Sequence, residues 1–402
     1  MFSVLKVLIT LAVIVFLLNR KVKMGNAMLA GSAIIFLLTG LNLQYLNTAV
    51  ITTTTSYGTW EILFALYFVM CLEFQLRTSG TINGLMVAAR KLLRSDRILL
   101  PLMPAFLGFL PSLGGAIFSA PLVESASRPF NLTPENKTVI NYWFRHVWEF
   151  TNPIFTGMLL ASQLSDIPLS ALITNMAWVT ALSILIGWLF FISPLKQRNA
   201  VAGDDLPDTE IGGYQHIALA TGPILANFFL VVFLNLPASI SMGLVVAAMV
   251  LILKQNIVDI RSMLKHAFDQ KLLWGVVGIL FFQNILRPSG LIQDIAALLH
   301  NLDVPNAIVI GAISFVSGLL LGTSQGFVAI TFPFIAVLSP NDISLAMICF
   351  VMGTAGHMLS PTHLCLLVTL DYFKADYLKT LRPIFFLEII MAAAGYIAIT
   401  II

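Results

Sequence analysis

Gly108-Phe-Leu-Pro-Ser-Leu-Gly-Gly-Ala-Ile-Phe-Ser-Ala-Pro121 is apolar enough for a bilayer yet full of helix breakers. A second such stretch, Gly318-Leu-Leu-Leu-Gly-Thr-Ser-Gln-Gly-Phe-Val-Ala-Ile-Thr-Phe-Pro333, stands in the other half of the chain. Glycine allows tight turns and close backbone approach, and proline removes a donor and clashes with the preceding turn. Each stretch is followed by a long apolar span interrupted part-way, at Thr151-Asn152-Pro153 and at Ser360-Pro361-Thr362. Paired broken segments in corresponding positions of two halves point to the binding site of a transporter.

Composition sets the solvent. Of 402 residues, 58% are hydrophobic and 10% charged, against about 25% charged in soluble domains. The expectation is an all-α polytopic membrane protein, because the apolar runs far exceed the ~10-residue alternating strands of a barrel. Cys71, Cys349 and Cys365 lie in apolar spans without disulfide or metal-ligand spacing and read as packing residues. The apolar run 2–18 lacks a signal peptide's charge order and cleavage site and is read as a retained span.

Ten spans are expected, at 2–18, 24–42, 60–76, 138–162, 169–192, 214–234, 237–253, 272–286, 343–370 and 383–402. The interrupted regions 98–124 and 305–338 are read as re-entrant helical hairpins, since non-helical backbone at depth survives only under protein or water. Cytoplasmic loops are enriched in Lys and Arg. With both regions re-entrant and both termini outside, all but Lys6, Arg145 and Arg287 of the 22 Lys and Arg residues fall inside. Reading each region as a single crossing moves the residues from Arg128 to Lys271 outside and loses that asymmetry.

The halves then correspond element for element, with opposite orientation. Residues 1–198 form the first repeat, 199–213 a polar cytoplasmic linker, and 214–402 the second repeat. This is an inverted-topology repeat.

Candidate site residues follow from the breaks. At the tips, Ser112, Gly114 and Gly115, and Thr323, Ser324, Gln325 and Gly326, combine turn formers with hydrogen-bonding groups. Helix N-termini there suit an anion, and opposing C-terminal carbonyls suit a cation; helix-packing glycines are the plainer alternative. Thr151, Asn152 and Pro153 lie about 13 residues into their span, ~20 Å at helical rise. Ser360, Pro361 and Thr362 match them in depth; a proline kink patched by neighbours is the alternative.

Arg145, Trp148, Glu149 and Asn152 follow helical spacing and form one stripe, with His146 off it. An internal Arg145–Glu149 pair and an anion-attracting Arg145 both fit that stripe. Glu149 and His357 precede their breaks by equal steps, and can face one cavity and carry a coupling proton; a neutral, hydrogen-bonded His357 is the alternative. His363 falls on a different face from His357 if the helix is continuous. No His-Glu-x-x-His motif is present, so no metal and no cofactor is expected beyond a coupling Na+ or H+. Glu61, Glu73, Glu124 and Glu388 read mostly as solvated groups near span ends.

Together these features resemble the ion transporter superfamily of prokaryotic secondary carriers. Gly108–Glu124, Asn141–Pro168 and Gly353–Asp371 look most like an uncharacterised family of integral membrane proteins within it. The resemblance implies an elevator mechanism, in which hairpins and broken helices carry substrate past a static scaffold, and a homodimer. Carboxylate carriers of the superfamily hold sodium and substrate with Ser-Asn-Thr tips, which neither tip here reproduces. The expectation is a cation-coupled carrier of a small organic anion in the cytoplasmic membrane, contacting lipid and no nucleic acid. A channel built on re-entrant hairpins and an intramembrane acid–base enzyme are the alternatives.

Overall fold

A computed structural model describes residues 2–40, 43–81, 88, 95–109, 115–196, 214–294 and 305–401. Among these residues the chain is all-helical. In the first half α1 is Phe2–Asn19, α2 Met24–Thr39, α3 Leu43–Thr55, α4 Tyr57–Thr78, α5 Asp96–Gly108, α6 Gly115–Ser127, α7 Pro134–His146, α8 Thr156–Ser165 and α9 Leu169–Gly187. In the second half α10 is Tyr214–Val232, α11 Ala238–Ile252, α12 Ile257–His266, α13 Gln270–Leu286, α14 Asn306–Leu321, α15 Ser324–Leu338, α16 Ile343–Met358, α17 Leu364–Phe373 and α18 Tyr377–Ile401. Among the described residues, six helical stretches are long and apolar enough to cross a bilayer alone: Phe2–Asn19, Tyr57–Thr78, Leu169–Ile192, Gln215–Val232, Gln270–Ser289 and Tyr377–Thr400. The protein is a multi-pass membrane protein. The interruptions at 358–364 and 321–324 fall where the sequence places them, and α7 and α8 are separated across Thr151-Asn152-Pro153.

Two helices were not anticipated. Leu43–Thr55 and Ile257–His266 lie between the expected spans. The first is threonine-rich, and β-branched residues are weak helix formers. Here Thr53, Thr54 and Thr55 return their hydroxyls to the carbonyls of Ala49, Val50 and Ile51, at 2.7, 2.8 and 2.7 Å. The second opens on a capping box between Asn256 and Asp259. The last span also begins earlier than expected, at Tyr377 rather than at Pro383.

One layer of the fold is built on close helix crossings. α2 packs along α13 and α4 along α11. The buried face of α2 includes Gly25, Met28, Ser32 and Ile35. A Cβ at Gly278 of α13 would lie 2.6 Å from the Gly25 Cα. Small residues at such crossings let backbones approach where lipid supplies no hydrophobic drive. Gly278→Leu should therefore force the two helices apart, at about 1–3 kcal/mol for overpacking. Detergent thermal unfolding checks this, with an unchanged midpoint as the contrary result.

The second layer holds the hairpins and broken helices. α5 lies beside α7, and α14 beside α16. α6 packs on α17, while α15 packs on α8. α7 lies against α18, and α16 against α9. Asn141 of α7 bonds Thr369 of α17 at 3.2 Å, and Tyr142 bonds His363 at 3.0 Å. As α7 advances its partners recede, so α7 and α17 run antiparallel.

Candidate functional site

The second hairpin turns at Gly322, whose φ of 63° is left-handed and suits glycine. Thr323 caps the returning limb, its hydroxyl accepting from the Gly326 N–H at 3.2 Å. This tip is wedged between both breaks. A Cβ at Gly322 would lie 2.5 Å from the Thr362 Oγ1 and 2.9 Å from the Ser360 Oγ. A Cβ at Gly157 would lie 2.9 Å from the Ser324 Oγ. Ser324 and Ser360 are buried, Gln325 is half-buried, and Thr323, Pro361 and Thr362 are exposed.

The first hairpin meets its break in a similar way. Asn152 donates from Nδ2 to the Phe109 carbonyl at 3.0 Å, and its Oδ1 accepts from the Ile154 N–H at 3.1 Å. That second bond reaches across Pro153 and helps hold the break open. Thr151 bonds Thr180 of α9 at 3.0 Å. Ser112 and Gly114 lie outside the described residues, and Gly115 begins α6.

The expected stripe on α7 divides. Arg145 donates to the Leu107 carbonyl at 3.1 Å. Trp148 stacks on Phe109 with ring centroids 4.6 Å apart. These two and Asn152 face the first hairpin. Glu149 does not: it stands at the edge of that stripe, in register with Tyr142 and His146, and its carboxylate points toward the second half. Glu149 Oε2 lies 3.1 Å from His357 Nε2, and Oε1 lies 3.9 Å from His146 Nε2. No Arg145–Glu149 ion pair forms within 4.0 Å. The 3.1 Å approach is off a hydrogen bond's axis, leaving Glu149 Oε2 and both His357 ring nitrogens buried without hydrogen-bond partners.

His363 joins this cluster. The break brings its ring to 4.8 Å from that of His357 and 4.9 Å from that of His146. Tyr142 joins them, donating to the Met358 carbonyl at 3.0 Å. Cys365 adds a thiol whose Sγ lies within 4.8 Å of a ring nitrogen of both His146 and His363. Tyr142 was not singled out from sequence, His146 was placed off the stripe, and Cys365 was read as packing. Tyr142, His146 and Glu149 are spaced i, i+4, i+7 and form a second stripe that signals their shared direction. Glu388, read as near a span end, is buried at 5% exposure because α18 starts early enough to place it deeper. It shares with His146 and Trp143 a cavity of about 10 Å³, near the room one water needs.

The family described as "Protein of unknown function (DUF401)" matches residues 1–402. The chain belongs to that family. No curated protein matches this DUF401 chain. Its fold is similar to that of the Alcanivorax borkumensis YdaH transporter, whose crystal structure is described as revealing an unusual topology. The TM-score is 0.59 at 16% identity, covering 89% of each chain. At that identity the likeness is one of fold. Within the DUF401 fold, the residues brought together are those of the second tip, the two breaks, and the Glu149–His357 contact.

Proposed function

We propose that this protein is a secondary transporter that moves a small organic anion, coupled to a Na+ or H+ gradient, by an elevator-type alternating-access mechanism. The observation that carries the reading is the seating of the second hairpin tip between both helix breaks. Three helix N-termini meet there: Ser324 of α15 lies against Gly157 near the start of α8, and Gly322 lies against the His363 N-cap of α17. Converging N-termini offer unpaired N–H groups and partial positive charge to an anion. Thr151, Asn152, Ser324, Gln325, Ser360 and Thr362 add hydrogen-bonding groups. The C-termini of α7 and α16 converge on Glu149 and His357, which suits a cation.

The inverted repeat is part of the proposal. Exchanging each of α1 to α9 for its counterpart among α10 to α18 turns α2 on α13 into α11 on α4. It likewise turns α5 on α7 into α14 on α16, and α6 on α17 into α15 on α8; each product is an observed pair. The antiparallel run of α7 and α17 supports opposite orientation. In this reading α2, α4, α11 and α13 form the scaffold, and hairpins and broken helices form the moving unit. A cavity of about 260 Å³ lined by Tyr57, Glu61, Leu159, Gln163 and Leu236 lies at the seam between them, away from the breaks. Assembly as a homodimer and residence in the cytoplasmic membrane with both termini outside belong to the same proposal.

A thermal-shift screen of organic acids, with and without Na+, should find a ligand that raises the melting point, since ligands stabilise by mass action. That ligand should enter proteoliposomes with saturable kinetics, faster under an inward Na+ or H+ gradient. Uptake indifferent to both gradients contradicts the coupling, and flux that never saturates contradicts the carrier.

A further inference from the structure

The two broken helices bring together a donor set that the transport reading does not use. His146 closes α7, while His363 and Cys365 open α17, from opposite halves of the chain. Their ligand atoms all lie within 4.8 Å of one another. Both histidines are 6% exposed.

Hydrogen bonding fixes which ring atoms face inward. His146 Nδ1 lies 2.6 Å from the Tyr142 carbonyl oxygen, and His363 Nδ1 lies 2.9 Å from the His357 carbonyl oxygen. A carbonyl only accepts, so each Nδ1 carries the proton and each Nε2 keeps a lone pair. Metal-binding histidines typically donate their other ring N–H in this way, which sets tautomer and ring orientation. Cys365 adds a third ligand atom, its Sγ within 4.8 Å of a ring nitrogen of each histidine. The Glu149 Oε1, 3.9 Å from His146 Nε2, is one more acceptor. His357, 1% exposed and without a hydrogen-bond partner at either ring nitrogen, borders the same space. A cluster dominated by acceptors is completed by a cation.

We propose that His146, His363 and Cys365 form a binding site for a d-block divalent cation of zinc-like chemistry, with Glu149 supplying balancing charge. Two imidazoles and a thiolate suit a borderline-soft ion rather than Mg2+ or Ca2+. Ligand bonds of about 2.0–2.3 Å place tetrahedral donors roughly 3.3–3.8 Å apart, so the cluster needs only a modest contraction. The bound ion would tie the two broken helices together. This inference stands whether or not the chain transports an anion.

Co2+ is the probe. The full-length protein in detergent, equilibrated with Co2+ and desalted, should retain one ion per chain. It should show tetrahedral visible bands and a thiolate-to-cobalt charge-transfer band in the near ultraviolet. Cys365→Ser should lose the charge-transfer band, His146→Gln should weaken binding by about tenfold or more, and Cys349→Ser should change neither. Should the variants misfold, the unmodified protein still decides. Zn2+ should slow alkylation of Cys365 by about tenfold, mapped by mass spectrometry, with a chelator restoring it. Absence of retained cobalt, retained cobalt without a thiolate band, or alkylation indifferent to Zn2+ overturns the proposal.

Discussion

Gly318→Val is expected to cut anion uptake on the order of 100-fold, the scale that a ~1 Å misplacement costs a positioned site. A Cβ at Gly318 would stand 2.2 Å from the Gly353 carbonyl oxygen and 2.8 Å from the His357 N. Both are backbone atoms of α16, so no rotamer change relieves the clash. The outgoing limb of the hairpin must lift off the broken helix, and Gly322 with it. Overpacking of this kind costs about 1–3 kcal/mol, so the melting point should also fall. Gly108→Val should act alike, since a Cβ there would lie 2.0 Å from the Arg145 carbonyl oxygen. Gly222 in α10 is the control: a Cβ there meets nothing within 4 Å. Gly222→Ala should keep uptake and hold or raise stability, Ala being the better helix former by about 1 kcal/mol. Normal uptake by Gly318→Val would contradict the tight seating of hairpin on broken helix.

Glu149→Gln carries the second large effect. The substitution keeps shape and removes the ionisable carboxyl, which lies 3.1 Å from His357 Nε2 on a residue 7% exposed. With no carboxylate to hold the coupling cation, gradient-driven uptake should fall on the order of 100-fold, nearly 3 kcal/mol of lost driving interaction at about 1.4 kcal/mol per factor of ten. Stability should hold or rise, because burying a charge carries a desolvation penalty that the amide avoids. Glu73→Gln is the comparison. Glu73 pairs with a solvent-exposed Arg77 at 3.2 Å, and exposed pairs contribute about 0–1 kcal/mol. Uptake in Glu149→Gln that still follows the imposed gradient would remove Glu149 from the coupling mechanism.

The helical architecture and its interruptions were legible in the sequence because membranes punish irregular backbone. Gly322 and the residues before Pro153 and Pro361 announce turns that nothing else in an apolar run explains. Leu43–Thr55 was hidden by its threonines, whose local hydroxyl bonds become visible only in the fold. The chemistry was read less fully. The expected stripe Arg145, Trp148, Glu149 and Asn152 divides in the fold, because Glu149 stands at its edge and equally in register with Tyr142 and His146, so spacing alone could not tell which neighbours its carboxylate meets. His357 and His363 diverge only on a continuous helix, and the sequence announces the break between them without giving the angle at which the chain resumes. Cys365 looked like packing, since its partner His146 comes from the other half, and spacing along one chain segment cannot register a neighbour brought in by topology.

In the proposed transporter, two oppositely oriented halves bring their breaks to one site inside the bilayer. The most direct measurement labels single cysteines at the outer ends of the two hairpins, Arg128→Cys and Pro340→Cys, with Cys71, Cys349 and Cys365 replaced by serine. An impermeant maleimide is applied to sealed vesicles of known orientation. Arg128→Cys should react only from the cytoplasmic face and Pro340→Cys only from the opposite face. Reaction of both from the same face would contradict the inverted arrangement, and with it the shared site.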